Sequence, residues 1–247
     1  MPWVIRHKSV TESTNKDALG GTPGDVFVAD MQTAGRGRLD HRWLSPPGEN
    51  LMMSAVVGVG GMPPQEVATL PLVAGLSVAE ALCGILPSRP EGLVKVKWPN
   101  DVHAGGRKIC GILCERNGDN VIVGIGVNVN QTVFAPEIAD VATSVRLETG
   151  SAADVGGVRD AVLSALAGNI AQWRVGGFAP MLERLSRFDS LKGRHVSVRR
   201  TDGDAEPVSG MCGGIRSDGT LDVAGESVSA GEAHVMRRTG GSVANGR

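Results

Sequence analysis

Cationic side chains stand beside glycines or amides in several segments of this chain. The first is Gln32-Thr33-Ala34-Gly35-Arg36-Gly37-Arg38. Its glycines free the backbone for close approach, and their N–H groups can turn toward an anion. The two arginines add planar donors that match carboxylate or phosphate. The second is Lys97-Trp98-Pro99-Asn100-Asp101. Here a lysine and an indole end a strand, a proline stops its pairing, and Asn100 and Asp101 are expected in the loop beyond. Such a pair serves as a turn former, a holder of Mg²⁺ or a guide for a nucleophilic amine. The third, 105–115, puts Lys108 at the start of a strand directly after Gly105-Gly106. The fourth, Gly124-Ile125-Gly126-Val127-Asn128-Val129-Asn130, is an apolar strand with small residues, closed by amides. Each has a bland counterpart when taken alone: a solvated basic turn, a turn-forming pair, a strand-end lysine. The GxG of 124–126 precedes no helix and lacks the third glycine of a dinucleotide fold, and no GxxxxGK[ST] phosphate loop is present.

The elements that must position these groups follow from periodicity. Residues 11–15, Thr-Glu-Ser-Thr-Asn, are capping side chains that start a short helix. Alternation predicts a strand over 25–30, and 33–50 has no period, which makes it a long loop of the functional or mobile kind. A strand is expected at 51–59 and a helix over 65–86, ended by Pro87. Residues 93–98 alternate, so Lys95 and Lys97 share a face. Two more strands, 108–115 and 120–129, meet at the turn Asn117-Gly118-Asp119. Val162, Leu166, Ile170 and Trp173 form a helical stripe.

Beyond Phe188 the apolar runs become short: Val196/Val198, 208–215, Leu221/Val223 and Val235, with turns at Asp202-Gly203 and Asp218-Gly219. That spacing predicts a small antiparallel barrel. The fold class is therefore α+β: a mixed-sheet domain packed with helices over 1–188, a small β-barrel over 189–238, and a disordered polar tail, 239–247.

With 41% hydrophobic residues and a formal net charge of −1, the chain has an ordinary soluble composition and no general attraction for polyanions. Anion binding must come from local clusters. The N-terminus meets charge before any apolar core, so it is no signal peptide, and the apolar run 70–87 is interrupted by Pro71, Ser77 and Glu80, which favours a packed helix over a membrane span. Cys83, Cys110, Cys114 and Cys212 form no CxxC pair and have no clustered histidines, which argues against zinc and for reduced structural thiols.

In this order, ESTN, QTAGRGR, KWPND, RKICGIL and GIGVNVN resemble the signature segments of the biotin–protein ligase catalytic domain, closely over 11–130 and more loosely through Ala142-Thr143-Ser144. The resemblance implies an SH3-like C-terminal barrel. It also implies an ATP-dependent, AMP-forming ligase that makes biotinyl-5′-AMP from biotin and ATP with Mg²⁺. The biotin then passes to a lysine of the biotin carboxyl carrier protein of acetyl-CoA carboxylase or a related carboxylase. The implied biotin contacts are Ser13, Thr14, Asn15, Gln32, Gly35, Arg36, Arg38, Lys108 and Gly111. Those for the nucleotide are Arg36, Arg38, Trp43, Lys97, Asn100, Lys108 and Asn128. Lys108, Arg38 and Asp101 are the implied catalytic groups, Asp101 orienting the acceptor lysine; no metal ligand is implied.

The family often follows GRGR with a glycine and another basic residue, where this chain has Leu39-Asp40-His41, so the outer contacts of the loop are expected to differ. The motifs begin by Thr11, which is taken as a short form without an N-terminal helix-turn-helix. The expected setting is cytoplasmic, with no DNA or membrane partner and with homodimerisation left open. A lipoate–protein ligase and a biotin sensor without turnover are the alternatives.

Overall fold

The computed structural model describes residues 2–39, 41–88, 92–201, 206–239 and 242–244. Along the chain come strand β1 (Val4–Thr11), helix α1 (Thr14–Asp17), β2 (Asp25–Gln32), β3 (Leu51–Gly58), and helices α2 (Pro64–Val67) and α3 (Leu70–Cys83). Strands β4 (Val94–Lys97), β5 (Asp101–Ala104), β6 (Arg107–Asn117) and β7 (Asn120–Val127) follow, then helices α4 (Val145–Thr149), α5 (Val155–Gly176) and α6 (Leu182–Ser186). The first seven strands make one sheet in the order β1-β2-β3-β7-β6-β5-β4. β1 and β2 run parallel, and the remaining neighbours run antiparallel. This is the expected mixed sheet.

Alternation decides what each face of the sheet does. On β7, Val121, Val123, Ile125 and Val127 join the main core under the helices. Ile122, Gly124 and Gly126 point the other way, and Ile122 packs there with Ala18, Val56 and Phe27. α3 and α5 cover the core face. α5 begins at Asp154, whose carboxylate accepts from the N–H groups of Gly156 and Gly157, and buries Val158, Val162, Leu166, Ile170 and Trp173. α3 is buried on nearly every side, which accounts for its apolar composition without any membrane.

Several elements differ from the sequence expectation, among them β5, α4 and α6, which were not foreseen. The helix expected over 65–86 is divided at residues 68–69, because Pro71 lacks an N–H and fits only in a first helical turn. Thr69 Oγ1 then accepts from buried Trp173 Nε1 at 3.0 Å. β1 was not expected at all. It lies at the sheet edge with both apolar and charged residues exposed, so its sequence carries no alternation. Asp101 opens β5 rather than standing in a loop; Trp98, Pro99 and Asn100 make the turn from β4.

The C-terminal part contains β8 (His195–Arg199), β9 (Val208–Ile215), β10 (Leu221–Val223), β11 (Glu226–Val228) and β12 (Glu232–Val235), all antiparallel in the order β11-β10-β9-β8-β12. The turn at Asp202-Gly203 lies outside the described residues. So does most of the expected disordered tail, although β13 (Arg237–Thr239) pairs with β14 (Ser242–Ala244). Two ties join this module to the large sheet. The linker pairs with β4, where Val96 N donates to Phe188 O (2.8 Å) and Ser190 N to Val96 O (3.0 Å). Buried Trp98 donates its indole N–H to the carbonyl of Gly219 (3.0 Å), in the β9–β10 turn.

Candidate functional site

The face of the sheet opposite α3 and α5 carries a cavity of about 490 Å³. Register explains its floor. One row of paired residues crosses five strands as Met52, Gly126, Gly111, Asp101 and Lys97. The next row reads Ser54, Gly124 and Leu113. The row therefore runs from an apolar, side-chain-free centre to an ionic edge. The glycines are required by what lies on them: a Cβ at Gly126 would stand 2.6 Å from Trp43 Cε2, one at Gly111 would stand 2.9 Å from Trp43 Cζ3, and one at Gly124 would collide with Asn15 Oδ1.

α1 supplies the polar end of the floor. Ser13 precedes it without capping it, and Ser13, Thr14 and Asn15 are all buried. Thr14 donates from both N (2.8 Å) and Oγ1 (3.2 Å) to Gln32 Oε1. Ser54 Oγ lies 2.7 Å from Thr14 Oγ1 and 2.6 Å from Asn15 Oδ1. Asn15 Nδ2 donates to Glu115 Oε2 (2.7 Å). These groups make a buried amide and hydroxyl network around the glycines.

Above it stands the loop containing Gly35–Trp43, folded back on itself by a bridge between Arg36 and Arg42 and by bonds from Gly37 N to His41 O and Trp43 N to Gly35 O. Leu39 takes φ +52°, a left-handed conformation that favours glycine, at the point where the sequence leaves its family pattern. Asp40 lies outside the described residues. His41 Nε2 approaches Glu232 Oε1 of β12 at 3.9 Å.

Arg36, Arg38 and Lys108 each have a partner within the site. Arg36 Nη2 bonds Glu115 Oε2 (2.8 Å). Arg38 Nη1 donates to Asn100 Oδ1 (3.0 Å) and toward Gly231 O (3.5 Å). Lys108 Nζ lies 2.8 Å from Asp101 Oδ1, yet off the angle of a directed hydrogen bond, so charge holds this pair. Lys108 is fixed through its backbone by Val141 O and Thr143 N. Burial pushes the Lys97 ammonium below its ordinary value; Asp101 and Glu232 oppose that shift and Lys108 adds to it. His103, on β5, is lowered to about 4 by burial and by Lys97. Asn128 is buried and donates its Nδ2 to Thr143 O (3.0 Å).

The cavity thus brings together Ser13, Thr14, Asn15, Gln32, Arg36, Arg38, Trp43, Lys97, Asn100, Asp101, Lys108, Gly111 and Asn128. Gly35 does not line it; it sits behind, against the Trp43 carbonyl and Gln32. Sequence reasoning missed Ser54 and Glu115, which bond the floor and loop residues from behind, and the lining residues Phe134, Ala135, Glu137, Ile138, Val141 and Ala142 with, from the C-terminal module, Glu232 and His234. Ser54 had a signal, as the only polar residue within an apolar run. Cys110 and Cys114 do share a strand face; burial raises both thiols, Cys114 to about 12. Among the described residues, no three His, Cys, Asp or Glu side chains cluster as a metal site.

Residues 6–131 match the family described as biotin/lipoate A/B protein ligase, which is more than half of the chain. The chain belongs to that family. It is 36% identical over 239 residues to the biotin–[acetyl-CoA-carboxylase] ligase of Mycobacterium tuberculosis, covering 92% of this chain and 87% of that protein. It is 33% identical over 224 residues to the bifunctional ligase/repressor BirA of Bacillus spizizenii. That match covers 87% of this chain and 65% of the relative, so the chain spans slightly less than two thirds of the Bacillus protein. Among solved structures, the biotin protein ligase of Aquifex aeolicus in complex with biotin and ATP superposes with a TM-score of 0.82 at 31% identity. The superposition covers 95% of this chain and 99% of that one.

Proposed function

We propose that this chain joins biotin to ATP as biotinyl-5′-AMP and transfers the biotinyl group to a lysine of a biotin carboxyl carrier protein. The observation that carries this is the cavity floor. A ureido ring offers N–H donors and a carbonyl acceptor on a flat apolar frame. The Thr14–Gln32–Ser54–Asn15 network faces a side-chain-free platform of Gly111, Gly124 and Gly126, which suits such a ring. A dithiolane ring has no comparable groups and would leave these buried polar atoms unanswered, which disfavours lipoate.

The ionic edge fits the chemistry. In adenylation a carboxylate oxygen of biotin attacks the α-phosphorus, and the bond to pyrophosphate breaks. Two anions must meet, so fixed positive charge lowers the barrier most where they touch. Lys108 stands between floor and edge and is assigned to that point. Arg38 and Lys97 hold phosphate oxygens, Arg36 closes over the carboxylate, and Trp43 and Asn128 border the adenylate. Mg²⁺ would bind chiefly through the triphosphate, neutralising its charge; Asp101 and Glu232 line this end of the cavity and suffice for the one or two protein oxygens such a site uses. In transfer, the acceptor amine attacks the biotinyl carbonyl and AMP departs. Asp101, released from Lys108, orients that amine and receives its proton. The inventory of four cations also favours turnover over sensing alone.

The carrier protein, a cytoplasmic setting and a catalytic unit of 1–188 followed by a barrel of 189–238 belong to the same proposal. Pyrophosphate release measured with biotin and with lipoate tests it: release with biotin is expected, and release with lipoate alone would overturn it.

A further inference from the structure

Strict alternation along β6 would turn Lys108 away from the cavity. Gly111 faces the cavity and Cys110 the core, so Ile109 would face the cavity next and Lys108 the core. The structure shows the reverse: Ile109 is fully buried in the core, and Lys108 lines the cavity. A bulge makes the exchange. Val102 of β5 pairs with Cys110, but the next residue, His103, pairs with Lys108, which leaves Ile109 as the extra residue. Pairing with β5 is irregular at this point, so the register of Lys108 must be held from elsewhere.

The segment 141–143 lies along Lys108: Lys108 N donates to Val141 O (2.7 Å) and Thr143 N to Lys108 O (2.9 Å). Thr143 O also accepts from Asn128 Nδ2 (3.0 Å). Glu148, on α4, anchors this segment. Its Oε1 accepts from Thr143 Oγ1 (2.7 Å) and from Nη2 of Arg107 (2.8 Å), the residue just before Lys108. We propose that Glu148 is a positioning residue for adenylation, holding Arg107 and Thr143 so that the bulge at Ile109 presents Lys108 to the cavity; this rests on the biotin reading above. An ionised carboxylate only accepts, so the Thr143 hydroxyl and the Arg107 guanidinium must both turn to it. Arg107 pairs with Ala104, a core residue, and holding it on that side commits its neighbour Lys108 to the other. The Glu148 side chain is only 3% exposed, and an apolar residue of its size would pack α4 equally well. What the carboxylate adds is direction.

The test is single-turnover formation of biotinyl-5′-AMP by the full chain, with Lys108 present and with Lys108→Ala. Glu148→Gln keeps the shape but puts an N–H donor in place of one acceptor. With Lys108 present it should slow adenylation by about tenfold at saturating biotin and ATP, within the range for residues sharing one hydrogen-bond network. Biotin affinity should change far less. In the Lys108→Ala chain it should cost nothing further, because the group it positions is gone. Thr143→Val should behave as Glu148→Gln does, and Thr143→Ser, which keeps the hydroxyl, should restore most of the rate. Equal slowing with and without Lys108 would mark a purely structural role and overturn the proposal, as would a wild-type rate in Glu148→Gln. Should Glu148→Gln fail to fold, Thr143→Val decides by the same comparison. Absence of biotinyl-5′-AMP formation by the unaltered chain would instead remove the functional reading, so the two failures are distinguishable.

Discussion

On the floor of the cavity, Thr14, Asn15, Ser54 and Gln32 are bonded to one another. At the edge, Arg36, Arg38 and Lys108 are bonded to groups that a ligand must displace. The floor is buried and neutral; the edge is half exposed and ionic. Preformed neutral bonds cost nothing to reorganise and reject a ring without matching groups. Exchangeable ionic bonds keep cations in place without leaving bare charge. They surrender most readily to a ligand of greater negative charge, such as a triphosphate. Selectivity is thus assigned to the floor and rate to the edge.

That division can be broken most directly at Lys108. Lys108→Ala should slow single-turnover adenylation by about a hundredfold to a thousandfold, far more than it weakens biotin binding. An unimpaired rate would take Lys108 out of the mechanism. The converse substitution is Gly124→Val, whose side chain must displace Asn15. Biotin affinity should fall by up to about a hundredfold, as expected when buried polar groups lose their partners. Wild-type binding by calorimetry would show that the floor network does not read the ring.

Trp98→Phe removes the indole N–H that ties the edge to Gly219 and should cost about 1–2 kcal/mol of stability. The KM for ATP should rise more than that for biotin, because Glu232 and Gly231 approach only the ionic edge. Equal changes in both would blur the division.

A further effect concerns pH. His103 titrates at about 4 in the folded chain against an ordinary 6.5, so between these values the unfolded chain binds the extra proton. Stability therefore is fullest above about pH 6.5 and declines as pH falls toward 4. His103→Gln should flatten this decline in urea titrations at pH 7 and pH 5; parallel declines would exclude His103 as its source.

The cationic half of the site was legible because its residues lie in short contiguous runs, Gly35 to Arg38 and Lys97 to Asp101, whose chemistry shows in their types alone. The floor was harder to see. Ser54, Gly124 and Glu115 act together only after three strands have set their register, and no spacing along one segment records that. The mixed sheet and the later short strands followed from alternation. β1 escaped because both its faces are exposed, and the α2–α3 break escaped because the apolar pattern runs on through Thr69 and Pro71. Glu232 approaches Lys97 from more than a hundred residues away, at a point that only the docking of the C-terminal module determines.

The tie from Trp98 ends on a backbone carbonyl rather than on a side chain. The carbonyl belongs to Gly219, which takes φ +82° and where a Cβ would stand 3.0 Å from Thr69 Cγ2, so this contact asks for a shape that favours glycine at one position. At this contact, a change elsewhere in the β9–β10 turn is tolerated as long as the glycine that brings the oxygen against Trp98 stays in place.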